Sequence, residues 1–436
     1  MYKLLNKSIE WLVAIAVVHI TTLGLFRTLV DTFEIATINS LLNYFSLLVM
    51  VLLIWYQLRH YGLKVYNKGF WLFYLVYCLY VLLDITIFRK YPLESLKSAP
   101  TSVFIYFHHL GISLGYLFCA PTIYHKFNLV KYILLSLLVC AIPSVLFAQY
   151  VGIEIIQSGL EEGDEGYINS LAITYANVPI IVALAVIFKK LLKSKWLSII
   201  ISSTGIALVL YVLLIYGKRG PMIWAFVNVT VCYLNISKNT KRYLLGIGIV
   251  VLSFVIFLDP IIDSVSEVLP RTGDRLERTF KEGHTAGRLD FNKPKHSTYL
   301  IGLENFSRSP IWGYYFRMDT NDQHFRGGYA HNVFIEMLMT MGIIGFIPLV
   351  VFLIKAYRKS RKMFKSTFAT NQVAMFILFQ CAFLELQTTG TIVFKNDFWL
   401  FLYILCCFDI YKNANNKKTL SAPPQRWGLA PKDGRF

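Results

Sequence analysis

Charge is scarce in this chain. Only 16% of its 436 residues are Asp, Glu, Lys or Arg, against about 25% in an ordinary soluble domain. Apolar side chains make up 56%, with a mean hydropathy of +0.53, more than a soluble core can bury. The chain therefore reads as a polytopic membrane protein. Ligand-type cysteine spacing is missing too. The seven cysteines (Cys78, Cys119, Cys140, Cys232, Cys381, Cys406, Cys407) stand in apolar stretches with no CxxC and no Cys/His pattern. That argues against a disulfide scaffold, a zinc site and a thiol enzyme. There is no internal repeat, no Walker motif and no GxGxxG opening a soluble helix, since Gly246 and Gly248 lie inside an apolar run. Acidic residues are few, 25 against 43 Lys and Arg, for a net charge of +18. In a soluble protein that balance suggests nucleic acid. In a membrane protein it records cytoplasmic anchoring charge, so no nucleic-acid partner is expected.

A spanning helix needs about 20 mainly apolar residues. That window predicts twelve spans, near 9–26, 39–57, 70–88, 101–124, 130–150, 167–188, 196–216, 220–236, 243–262, 332–354, 372–389 and 396–411. The first follows Lys3 and Lys7 like a signal peptide but has no small-residue cleavage site, so it reads as a retained helix. With the N-terminus inside, the six cytoplasmic connections hold 20 Lys and Arg against 7 in the short outer ones. The positive-inside rule thus predicts twelve spans with both ends cytoplasmic.

Two outer connections stand apart. Residues 151–166 are acidic (Glu154, Glu161, Glu162, Asp164, Glu165), and Glu162 with Asp164 reads as a solvated acidic pair before it reads as a cation site. Residues 263–330 form a long loop between the ninth and tenth spans with ten Lys and Arg, among them Arg308, Arg317 and Arg326. Connections this long are usually functional or disordered. Aromatic residues through it (Phe291, Tyr299, Phe306, Trp312) predict that it folds over the bundle. Arg271, Arg275 and Arg278, at i, i+4 and i+7, are expected on one face of a short helix, a face suited to a multiply charged anion. The expected division is 1–262 for spans one to nine, 263–330 for the loop, 331–411 for the last three spans, and 412–436 for a polar, disordered tail.

Three segments carry possible chemistry. His331 and Asn332 stand where the outer loop enters the tenth span, and a helix N-terminus favours the neutral imidazole. Gly342 and Gly345 share its helical phase and would let a neighbouring helix approach beneath it. His331 is thus either a catalytic base or an interfacial histidine bonded to a loop carbonyl. The second segment is Tyr216-Gly-Lys218-Arg219-Gly-Pro221, a very short outer turn whose two cations are either a phosphate site or snorkelling side chains. The third joins Gly287-Arg288-Leu-Asp290 to Glu304–Gly313 and by itself looks like a solvated basic loop. His19, Asp84, His108, His109 and Glu385, scattered over apolar segments, are expected to be structural hydrogen-bonding groups.

In this order and at these places, Lys218-Arg219-Gly220, Gly287-Arg288, Ser309-Pro310-Ile-Trp-Gly313, and His331-Asn332 with Glu336, Gly342 and Gly345 resemble the bacterial O-antigen polymerase (Wzy) and O-antigen ligase superfamily. The resemblance covers roughly residues 196–411. It departs in having Lys where the family often has Ser before the Arg-Gly, and in lacking a second glycine shortly after Gly313. It implies an all-α, GT-C-like glycosyltransferase of the inner membrane with its active site toward the periplasm. The expected partners are an undecaprenyl-diphosphate oligosaccharide, membrane lipid and a chain-length regulator, and neither metal nor cofactor is expected. Arg219 and Arg288 would stabilise the leaving diphosphate, and His331 would activate the acceptor hydroxyl. Lys218, Arg271, Arg275, Arg278, Arg326, Asn332 and Glu336 would contact substrate, Glu336 lying about 140° round the helix from His331. A polymerase is expected ahead of a ligase acting on lipid A core, and both ahead of a transporter or flippase, since no 6+6 repeat is visible.

Overall fold

The computed structural model describes residues 2–32, 36–63, 65–83, 99–158, 170–188, 192, 194–236, 245–246, 248, 252, 256–280, 297–313, 330, 332–366, 370–388, 392–393 and 395–421. Among the described residues every regular element is helical. Among the described residues four helices are long and apolar enough to cross a membrane: Leu129–Val151, Ser170–Ile187, Lys195–Tyr216 and Val333–Arg361. Lys68–Leu83, His109–Phe118 and Asn371–Glu385 are apolar but shorter.

In chain order the helices are α1 (Tyr2–Thr32), α2 (Ala36–Tyr61), α3 (Lys68–Leu83), α4 (Ala99–Phe118), α5 (Ala120–Lys126), α6 (Leu129–Ser136), α7 (Ile142–Val151), α8 (Ile153–Ser158), α9 (Ser170–Ile187), α10 (Lys195–Tyr216) and α11 (Arg219–Ile236). After them come α12 (Leu258–Val268), α13 (Pro270–Phe280), α14 (Thr298–Arg308), α15 (Val333–Ser366), α16 (Thr370–Glu385) and α17 (Asn396–Ser421). A π-helical turn, Leu137–Ala141, joins α6 to α7. Nine of the twenty residues of the expected ninth span lie outside the described residues, as do Asp84, Glu162 and Asp164, and α12 runs across the expected loop boundary at residue 263.

Burial follows the distribution of apolar residues round each helix. α9 is apolar on every side and sits at the centre, nearly all of its side chains buried against α10, α11, α1 and α16. α2 instead leaves Leu48, Val51, Trp55 and Leu58 on its outside, a stripe at helical spacing that suits hydrocarbon. His19 bonds Ser46 between α1 and α2, the structural role expected of it.

Two corrections concern helix continuity. α17 does not stop at Tyr411 but continues to Ser421, because nothing between them breaks a helix until Pro423 approaches. α15 is not one smooth helix. Gly342 has φ +60° and interrupts it, and the turn Pro310–Gly313 lies against the break. The freed amides of Ile343 and Ile344 donate to Pro310 O at 2.9 Å and Ile311 O at 3.4 Å. A Cβ at Gly342 would collide with the backbone of Ile311 and Gly313. Gly342 therefore serves a turn docked on a broken helix, not a helix passing over a smooth face, and the expected phase relation to His331 involves a residue outside the described ones.

Polar contacts among the described residues gather at two groups of helix ends. At one, Lys131 pairs with Glu10 at 2.8 Å, Leu129 N donates to Asn371 Oδ1 at 3.0 Å, and Lys359 pairs with Asp409. The other gathers residues 216–219, 270–280, 297–313, 332, 386–388, 392–393 and 395–397, which include Lys218, Arg219 and Asn332 of the expected site.

Candidate functional site

The turn between α10 and α11 is shaped by Gly217. It closes α10 in the left-handed conformation (φ +56°), its amide donating to Leu213 O and Leu214 O at 3.1 Å. A Cβ there would strike Thr272 Oγ1 of α13, so glycine meets both the conformation and the contact. Side-chain hydrogen bonds among the described residues bind α13 to the bundle. Thr272 Oγ1 donates to Leu214 O (2.9 Å), Arg275 Nη1 to Gly217 O (2.8 Å) and Arg271 Nη1 to Ile156 O of α8 (3.0 Å).

This docking brings Lys218 and Arg219 together with Arg271 and Arg275. Burial pushes the Lys218 amine down to about 8, helped by the charges of Arg275 and Arg271. Arg275 is pushed down to about 10 by burial, then by Arg271 and Arg219, and stays charged at neutral pH. Four cations from two segments thus share one partly buried region. Arg278 stands apart, its side chain half-exposed and paired with Asp274 at 2.9 Å. The expected helix over 270–280 is present, with only two of its three arginines turned to the bundle.

The second segment is tied to the first through the end of α16. Asn332 Oδ1 caps α15, accepting from Phe334 N (3.0 Å) and Ile335 N (3.2 Å), while its Nδ2 donates to Gln387 Oε1 (3.0 Å). Val333 N donates to Leu386 O (3.1 Å), and Tyr299 of α14 donates to Gln387 O (3.0 Å). The next residue, Thr388, meets the hydroxyl of Tyr175 at 2.5 Å and accepts from Trp224 Nε1 at 2.9 Å. Tyr175 in turn presses on Gly220, where a Cβ would lie 2.7 Å from its hydroxyl. The Lys218–Gly220 turn and the Asn332 turn therefore flank one short segment.

Glu336 is fully buried and accepts from Ile392 N at 3.3 Å, so it ties α15 to the chain entering α17 and does not face solvent. Three residues after Ile392, Lys395 meets Glu385 at 2.5 Å and Asp397 at 4.0 Å. His331, Arg288 and Arg326 lie outside the described residues. Gln387, Thr388 and Tyr175 were not foreseen. The visible signal was the polar run Glu385-Leu-Gln387-Thr388-Thr389 between two apolar helices.

No protein-family model matches the chain, and no curated protein matches its sequence. The functional reading rests on residues and geometry.

Proposed function

We propose that this chain is a polysaccharide polymerase of the bacterial inner membrane. It would transfer the growing O-antigen or capsular glycan from undecaprenyl diphosphate to the next lipid-linked repeat unit, with its site toward the periplasm and twelve spans around it. The observation that carries the reading is the gathering of Lys218, Arg219, Arg271 and Arg275 at the bundle end that also holds Asn332. Like charges brought together in a partly buried place favour a multiply charged anion, and guanidinium groups bind phosphate oxygens bidentately.

In this reading the acceptor hydroxyl attacks the anomeric carbon from the face opposite the diphosphate. The C–O bond to the leaving group breaks as the new glycosidic bond forms. The cations stabilise the charge that builds on the diphosphate. His331 takes the acceptor proton, with Arg288 joining Arg219 on the phosphates and Arg326 on the substrate. Asn332 caps the helix that begins two residues after His331 in sequence, and Glu336 fastens that helix to the backbone of Ile392.

The test is a reconstituted assay with the native undecaprenyl-diphosphate repeat unit, comparing wild type with His331→Ala, Arg219→Ala and Arg288→Ala. A product ladder from wild type that the three variants lose supports the polymerase. No ladder from the correct lipid overturns it. Transfer only when lipid A core is added would point to a ligase, and transport without transfer to a flippase.

A further inference from the structure

A groove of about 350 Å3 runs along the outside of the bundle between α15 and α16. Its apolar lining is Phe334 and Phe383, edge to face at 5.9 Å, with Leu353 beside them, and Phe383 in turn meets the Tyr357 ring at 6.3 Å. Its polar end is formed by Tyr357, Arg358 and Arg361, at the end of the bundle opposite the Lys218 cluster. Residues 350, 354, 357 and 361 follow one another at helical spacing, so a single face of α15 begins apolar and finishes cationic. Among the described residues neither arginine has a carboxylate partner, and the Tyr357 hydroxyl has no hydrogen-bond partner. Neighbouring positions on the outer side, Ile347, Val351 and Ile354, are about half-exposed and apolar. Hydrocarbon therefore lies along this face, and what sets the groove apart is the group of hydrogen-bond donors at its end.

We propose that this groove binds an anionic glycerophospholipid, its acyl chain lying over Leu353 and Phe383 and its phosphate held by Arg358, Arg361 and the Tyr357 hydroxyl. The two guanidinium groups offer bidentate donation to the phosphate, and the tyrosine adds a neutral donor. A zwitterionic lipid is disfavoured because its own cation would approach the arginines. The site does not depend on the proposed polymerase activity, because it shares no side chain with the cationic cluster.

The test is native mass spectrometry of the full-length purified protein titrated with phosphatidylglycerol or phosphatidylcholine of matched chain length. Each surface cation is worth about fivefold toward an anionic lipid, so wild type should retain one phosphatidylglycerol with roughly twentyfold preference. Arg358→Gln with Arg361→Gln should bring that preference to near one, and both positions are exposed, so the fold is unthreatened. Tyr357→Phe should weaken phosphatidylglycerol about threefold by removing one hydrogen-bond donor. Equal retention of the two lipids by wild type overturns the proposal. So does a preference that survives the double substitution, or a mass of two chains without lipid, which would assign the groove to a second copy.

Discussion

Lys218 and Lys395 lie at the same end of the bundle in opposite company. The charged neighbours that act on Lys218 are Arg275 and Arg271, and with burial they push its amine down. Burial works against the charge of Lys395 as well, but Asp397 and Glu385 outweigh it and hold that amine above its ordinary value. The Lys395 group is completed within the protein. The Lys218 group gathers four cations, with Asp274 acting on Arg275 in the opposite sense, and an anion from outside would relieve their repulsion. A partly buried cluster rich in one sign is a candidate place for a ligand, and the balanced Lys395 cluster fastens the chain.

Removing the Lys395 amine breaks the comparison most severely. Lys395→Ala leaves Glu385 and Asp397 together without their cation and should cost about 3–5 kcal/mol, read as a lower thermal midpoint in detergent. Arg275→Ala should behave differently. It loses the bond to Gly217 O but also removes a repelling charge, so stability should change by only about 1 kcal/mol. Its affinity for inorganic pyrophosphate, followed by calorimetry, should fall about tenfold.

The pH dependence sharpens the contrast further. Lys218 titrates near 8 in the folded chain and near 10.5 when unfolded, so between those values only the unfolded chain keeps the proton. Stability from this group therefore rises with pH across that window and is flat below it. Pyrophosphate affinity moves the other way, because the neutral amine no longer attracts the anion. Binding measured from pH 7 to 9.5 should weaken above 8 in wild type and lose that component in Lys218→Arg. The smallest effect is expected at Arg278→Ala. That exposed arginine pairs only locally with Asp274, so stability should shift by less than about 0.5 kcal/mol and pyrophosphate binding should stay the same.

Much of the helical plan was legible because it depends on local composition. The runs 130–150, 167–188, 196–216 and 332–354 correspond to helices long enough to cross a membrane, and Pro270–Phe280 is the short helix that the arginine spacing called for. Other features were not legible because they depend on partners distant in the chain. Nothing near Gly342 announces that residues 310–313 will insert there, and a Gly-x-x-Gly pattern fits a smooth helix equally well. Nor does local pattern distinguish Arg278, facing outward, from Arg275, three residues earlier and bonded to Gly217 O.

Sequence alone was enough for an all-helical chain with membrane-crossing helices and for the position of four of them, since burial of a helix in hydrocarbon is set by some twenty consecutive residues. It also singled out Lys218 and Arg219 as candidates, since cations in a short turn expected on the outer side run against the positive-inside bias. Tertiary structure decided which distant groups meet. It set α13 on the Gly217 turn, made Asn332 and Glu336 fasteners of the neighbouring chain, and linked the two site segments through Thr388. Those outcomes follow from backbone donors and acceptors that must find partners across the fold, a requirement no single stretch of sequence expresses.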